Sequence, residues 1–159
     1  LLADTITTIS GGTSRPRAAD TARLVQALQR ADFRKRTLQQ CEISLQHGSI
    51  RIAREPARVE APVTLSGHGT RTWDGRFRVH YALPEHHTYT LRALGHDGRK
   101  QLARHYPHDT TIALPLATPS LWHLDELVSA PHIDVAFAST PGIRIGFAPP
   151  KPLAPAPFW

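Results

Sequence analysis

The chain has 159 residues, a formal net charge of +6, a single cysteine and no methionine. One cysteine excludes an internal disulfide framework and fits a reducing cytoplasm. No apolar run reaches the roughly 18 residues of a membrane span, and Leu1-Leu2 passes at once into Asp4 and a polar stretch, so neither a span nor a signal peptide is expected.

The length suits one good core, or two small ones sharing an interface. A leucine start without any methionine leads us to expect a piece of a longer chain. The basic balance rests on arginine far more than lysine, which biases the domain toward phosphate-bearing partners.

Taken in order, residues 1 to 12 read as the end of a helix or loop anchored by Leu1, Leu2, Ile6 and Ile9, and broken by Gly11-Gly12. Ser14 is the expected N-cap of a helix running to about Ala31, with Pro16 in its first turn. Thr21, Leu24, Val25 and Leu28 repeat as an amphipathic stripe, with Arg17 and Arg30 at its ends. Asp32 to Arg36 is a short cationic connector. Thr37 to Leu45 alternates as a strand, with Cys41, Ile43 and Leu45 on one face. His47-Gly48 turns it into a second strand, Ser49 to Arg54, in which Ile50 and Ile52 point together. Residues 56 to 62 carry two prolines and little periodicity, so a boundary is expected there.

Asp74-Gly75 is a strong hairpin signal, because both residues tolerate the positive φ of a tight type I′ turn. After it Phe77, Val79 and Tyr81 share one face, and Arg76, Arg78 and His80 the other. Thr88 to Leu94 is another strand. Asp97 is the expected cap of a short helix from Gly98 to His105, with Leu102 and Tyr106 on its inner side and Pro107 as its stop. Thr110–Leu114, Glu126–Ala130, Val135–Phe137 and Ile143–Phe147 are short strands between prolines and glycines. The proline-rich tail is expected to be extended, with Phe158-Trp159 docked back.

Several stretches carry a resemblance. They are Arg36-Thr37-Leu38-Gln39-Gln40-Cys41, then Ile50 to Arg54-Glu55-Pro56, then Trp73-Asp74-Gly75-Arg76-Phe77-Arg78-Val79. Leu114-Pro115, Leu121-Trp122, Val128 to Pro131 and Phe147 to Leu153 follow in order. Together they resemble the C-terminal half of bacterial tRNA(Ile)-lysidine synthases, the TilS or MesJ family. The resemblance implies a tRNA-binding portion of a ligase that adenylates a cytidine of the CAU anticodon with ATP, after which the amine of lysine displaces AMP. It places that chemistry, and the ATP, in an N-terminal ATP-pyrophosphatase domain that precedes this region. The implied partner is tRNA(Ile) and the implied compartment the cytoplasm. The oligomeric state is open, a homodimer among the options.

Other motifs admit plainer readings. Ser10-Gly11-Gly12-Thr13-Ser14 is similar to the family's Ser-Gly-Gly-x-Asp-Ser nucleotide loop, but Ser14 and Arg15 replace its Asp and Ser. A helix-capping turn is preferred. Glu85-His86-His87, His105-x-x-His108-Asp109 and His132-x-Asp134 supply possible metal ligands, but surface histidines are the preferred reading. Cys41 reads as a small core residue. Trp73 and Tyr81 could stack on a base, and core packing is preferred for both. Hydrolase signatures are absent, so no catalytic residue and no metal site are assigned.

Three basic clusters remain as candidate RNA contacts, since arginine binds phosphate as a bidentate fork. They are Arg34-Lys35-Arg36, the hairpin face Arg76/Arg78, and the helix face Arg99/Lys100/Arg104. The expected fold is α+β: helix plus β-hairpin in residues 1–57, ending a substrate-binding domain, then a small, mainly antiparallel β domain with one short helix in 58–159. The rival reading is a basic protein-interaction or structural module without RNA function. It predicts cations on all faces and an exposed apolar patch.

Overall fold

A computed structural model describes residues 1–105, 115–130, 135–136 and 142–153. The fold is α+β, with every strand pairing antiparallel. The chain divides into two compact units. The first takes residues 1–58, the short stretch 74–76 and the chain from Ala148; the second takes 59–73 and 77–147.

In the first unit, α1 (Leu2–Ser10) ends at Gly11, whose φ of 73° is left-handed. The Gly11 N–H donates to Thr8 O and the Gly12 N–H to Thr7 O, both at 3.3 Å, which is a Schellman cap. Ser10-Gly11-Gly12 is thus a helix stop. Helix α2 (Ala18–Leu28) is shorter than expected. Its N-cap is Arg17, with no side-chain cap, and Pro16 lies outside it. The residue before a proline is driven out of the helical region, which delays the start beyond Ser14. Leu24 and Ala27 are the buried positions, and Val25 is 41 % exposed. The stripe is therefore rotated toward Ala27.

A three-stranded sheet follows, β1 (Arg36–Leu38), β2 (Cys41–Gln46) and β3 (Ser49–Arg54). The continuous strand expected from Thr37 is broken by Gln39 and Gln40, with φ of 45° and 61°. Leu38 and Cys41 pair across that turn. Glutamines carry no local signal for a primed turn, so alternation ran straight through it. His47-Gly48 closes β2 onto β3 with φ of 49° and 76°. Ile6, Leu24, Cys41 and Ile43 form the core, with Ile9, Phe33 and Ile52 packed around it.

A single 3-10 turn, Pro56–Arg58, leads to the second unit. There β4 (Val63–Leu65), β7 (Tyr89–Ala93), β8 (Pro119–His123), β9 (Glu126–Ala130) and β10 (Val135–Ala136) make a five-stranded sheet in the order β10-β9-β8-β7-β4. A three-stranded sheet, β11-β6-β5, joins β5 (His68–Trp73), β6 (Phe77–Ala82) and β11 (Gly142–Phe147). Leu65, Leu91 and Leu121 from the larger sheet share one core with Trp73, Phe77 and Val79 from the smaller. Trp122, Leu127 and Ala130 face the other way, onto α3 (Gly95–His105) through Leu102. The layers are therefore small sheet, large sheet, helix.

Helix α3 starts earlier than expected, at Gly95, whose φ of 61° lets the chain turn into it. Asp97 lies in its first turn rather than capping it. Expectations for Tyr106, Pro107, the strand Thr110–Leu114, Phe137 and the Phe158-Trp159 tail lie outside the described residues, as do His108, Asp109, His132 and Asp134.

Candidate nucleic-acid interface

The three basic clusters fare differently. Arg34, Lys35 and Arg36 are exposed where the chain enters β1. Lys35 Nζ lies 2.9 Å from Glu42 Oε2. Upstream, Arg30 grips Asp32 through two hydrogen bonds of 2.9 and 3.0 Å. That contact lowers the Asp32 carboxyl below its ordinary value, with Arg36 adding to the effect. Carboxylates therefore blunt this cluster.

Arg76 departs from the expectation. It is only 5 % exposed and sits in the turn before β6 begins, so strand alternation does not apply to it. Its Nε and Nη2 donate to Asp74 Oδ2 at 2.8 and 2.5 Å. The same carboxylate takes Arg54, whose Nη2 donates to Oδ1 at 2.9 Å and whose Nε donates to Oδ2 at 3.2 Å. Arg54 Nη2 also donates to Arg58 O at 2.6 Å, and its Nη1 to Gln40 Oε1. Burial lowers the Arg76 guanidinium from its ordinary value, and Asp74 opposes that shift. The triad is a structural clamp, and Arg76 leaves the set of candidate RNA contacts.

Gly11 closes against this clamp. A Cβ there would meet Arg76 Cγ at 2.6 Å and Asp74 O at 3.0 Å. Asp74 and Gly75 have φ of 52° and 63°, the primed turn their pairing predicts. Residues far apart in the chain, Gly11, Gln40, Arg54 and Asp74-Gly75-Arg76, thus meet around the clamp in the first unit. Cys41 belongs to that neighbourhood, fully buried with its Sγ 3.6 Å from Ile6 O.

Arg78 keeps its expected exposure, and the small sheet surrounds it with an outward face in three rows. Thr72 pairs with Arg78, and Arg78 with Gly146. Thr70 pairs with His80, and His80 with Arg144. His68 pairs with Ala82, and Ala82 with Gly142. All nine of these positions are exposed, and none is acidic. Thr70 Oγ1 and His80 Nδ1 are 2.9 Å apart. Arg144 was missed in the sequence. Its signal is the alternation Gly142, Arg144, Gly146 against Ile143 and Ile145, but its place beside His80 follows only from β11 pairing with β6.

Arg99, Lys100 and Arg104 are exposed on α3. Lys100 Nζ is 3.9 Å from Asp97 Oδ1, while neither Arg99 nor Arg104 has a carboxylate partner among the described residues. The large sheet separates α3 from the small sheet, so Arg78 and the helix cluster occupy opposite layers. They do not merge into one patch.

Trp73 is fully buried and Tyr81 partly buried, both packed in the core between the sheets. Among the described residues no three His, Cys, Asp or Glu side chains are grouped as a metal site. No described helix is long and apolar enough to cross a membrane. No protein-family model matches the chain, and neither a curated protein nor a solved structure gives a significant match.

Proposed function

We propose that the chain is the tRNA-contacting, C-terminal portion of a tRNA(Ile)-lysidine synthase, working in the cytoplasm. On this reading ATP and lysine are handled by a separate ATP-pyrophosphatase domain, and this portion holds the tRNA. The observation that carries the proposal is the ordered series of family-like segments from Arg36 to Leu153. Their members occupy defined positions: the β1–β2 turn, the end of β3, the Asp74-Gly75 turn, β8 and β9. Exposed arginines without carboxylate partners among the described residues, Arg78, Arg99, Arg104 and Arg144, supply the charge such a role needs.

The test mixes the purified chain with a tRNA(Ile) transcript, ATP and lysine. Salt-sensitive RNA binding without pyrophosphate release is the expected outcome. Absence of RNA binding at 50 mM salt would overturn the proposal, as would pyrophosphate release that Gly12→Asp abolishes.

One observation favours a second reading, a protein-contact module. Leu45 and Ile50 pair across the tip of the β2–β3 hairpin and are 42 % and 49 % exposed. Capture of a partner through this tip, lost in Leu45→Ser with Ile50→Thr while RNA binding is absent, would favour it.

A further inference from the structure

We infer that the outer face of the β11-β6-β5 sheet is the RNA-backbone contact, with Arg78 and Arg144 as its phosphate forks and His80 between them. The inference rests on the tRNA-binding reading and goes past it by choosing one surface and adding Arg144 and His80.

Four observations converge. First, the face carries cations and no acid. Arg15, Arg23, Arg30, Arg54, Arg71 and Arg76 each have a carboxylate within reach, whereas Arg78 and Arg144, like Arg99 and Arg104 on α3, have none among the described residues; on the sheet, unlike on α3 with Asp97, no acid shares the face. Second, the register fixes their spacing. Arg78 lies opposite Gly146 and Arg144 opposite His80. The two arginines are therefore diagonal neighbours on adjacent strands, with Cα atoms roughly 7–8 Å apart. Each guanidinium can take its own phosphate, and the fork geometry suits phosphate oxygens.

Third, glycines flank Arg144. A Cβ at Gly146 would meet nothing within 4 Å. Edge strand β11 thus presents open backbone at Gly146, where a sugar-phosphate chain can approach closely, while Ala82 partly covers Gly142. A shallow depression of ≈ 460 Å³ opens at one end of the sheet, where Thr70, His80 and Arg144 meet Tyr81 and Ile143 of the inner rows. Fourth, the nine outward positions carry no apolar side chain larger than Ala82, and Tyr81 and Ile143 reach only the depression at the sheet's end. A lipid surface or an apolar protein partner would gain little burial here. An extended polyanion gains from every row.

The experiment uses the full chain and a fluorescent tRNA(Ile) transcript, with affinity read by anisotropy at several salt concentrations. Arg78→Gln with Arg144→Gln should weaken binding on the order of tenfold at low salt. It should also flatten the slope of log affinity against log salt by roughly 1.4–1.8. Gly146→Lys adds a charge beside Arg78 and should strengthen binding and steepen the slope by roughly 0.7–0.9, which a misfolded variant could not do. Gly146→Glu should weaken it. Wild-type binding that none of these variants changes overturns the inference and leaves the tRNA reading standing on another surface. No wild-type binding at any salt overturns both. Variant-sensitive binding to phosphatidylglycerol vesicles without RNA binding would make the face a lipid contact and equally overturn the inference.

Discussion

Asp74 does more than shape a turn. Its carboxylate lies between two buried guanidiniums, and its own side chain is 2 % exposed. Breaking a buried ion pair from one side leaves uncompensated charge and costs about 3–5 kcal/mol. Asp74→Asn keeps the tolerance for positive φ, removes the charge and replaces one acceptor oxygen with an amide donor facing the guanidiniums. An unfolding free energy lowered by that amount in urea melts is the expected result, and an unchanged midpoint would deny the clamp. Cys41 titrates in the same neighbourhood. Burial lifts its thiol from 9.0 to about 11, with Arg54 and Arg76 pulling the other way. A pKa raised by folding contributes stability that is full below pH 9 and is lost as pH rises through about 11. Wild type minus Cys41→Ala, compared by urea melts across that window, isolates this contribution. The turn itself was legible, because Asp-Gly is a strong local signal. The clamp was not. Arg76 looked like the first residue of an alternating strand, and nothing near it announces Arg54, which lies 22 positions earlier.

Among the elements, α3 shows two effects in opposition at Gly98. Alanine there would favour the helix by roughly 1 kcal/mol. Its Cβ, however, would lie 2.4 Å from Leu94 Cδ1 and 3.2 Å from Trp122 Cζ2. Leu94 and Trp122 are both buried, and overpacking such a site costs roughly 1–3 kcal/mol. Packing wins, so Gly98→Ala should lower the thermal midpoint, and a raised midpoint would show that Leu94 yields. Elements with strong local chemistry were readable in advance: the α1 stop at Gly11-Gly12, the β2–β3 hairpin and β6. Those defined by distant partners were not. Strand β4 is three residues long and exists by pairing with β7. Strand β8 opens on Pro119 and contains a register shift between Leu121 and Trp122. In α2, proline chemistry overrode an otherwise plausible serine cap.

For the molecule as a whole, layer order decides how charge is presented. The helix cluster and the small sheet lie on opposite sides of the large sheet, so their contributions to RNA binding should be independent. Arg99→Gln, Lys100→Gln and Arg104→Gln together should flatten the salt slope by about two units if α3 grips phosphates. Combined with Arg78→Gln and Arg144→Gln, the losses in binding free energy should add, as expected for distant sites. Sub-additive losses would place both clusters on one stretch of backbone. The face was half legible from alternation in β6. Its other half comes from β11, more than 60 positions away, and only the register joins them.

The first unit is not a continuous segment, since residues 74–76 belong to it although they lie within the run of the second. This has a consequence for dissecting the chain. Residues 1–58, produced alone, would hold Arg54 without the anion that neutralises it. We expect that peptide to lack a cooperative melt and to gain one when residues 59–159 are added in trans, a fragment complementation readable by circular dichroism. By the same logic, proteolytic nicking after Arg58 should leave both pieces migrating together until denaturant is added. A bond that looks like a domain linker is then cut without separating anything.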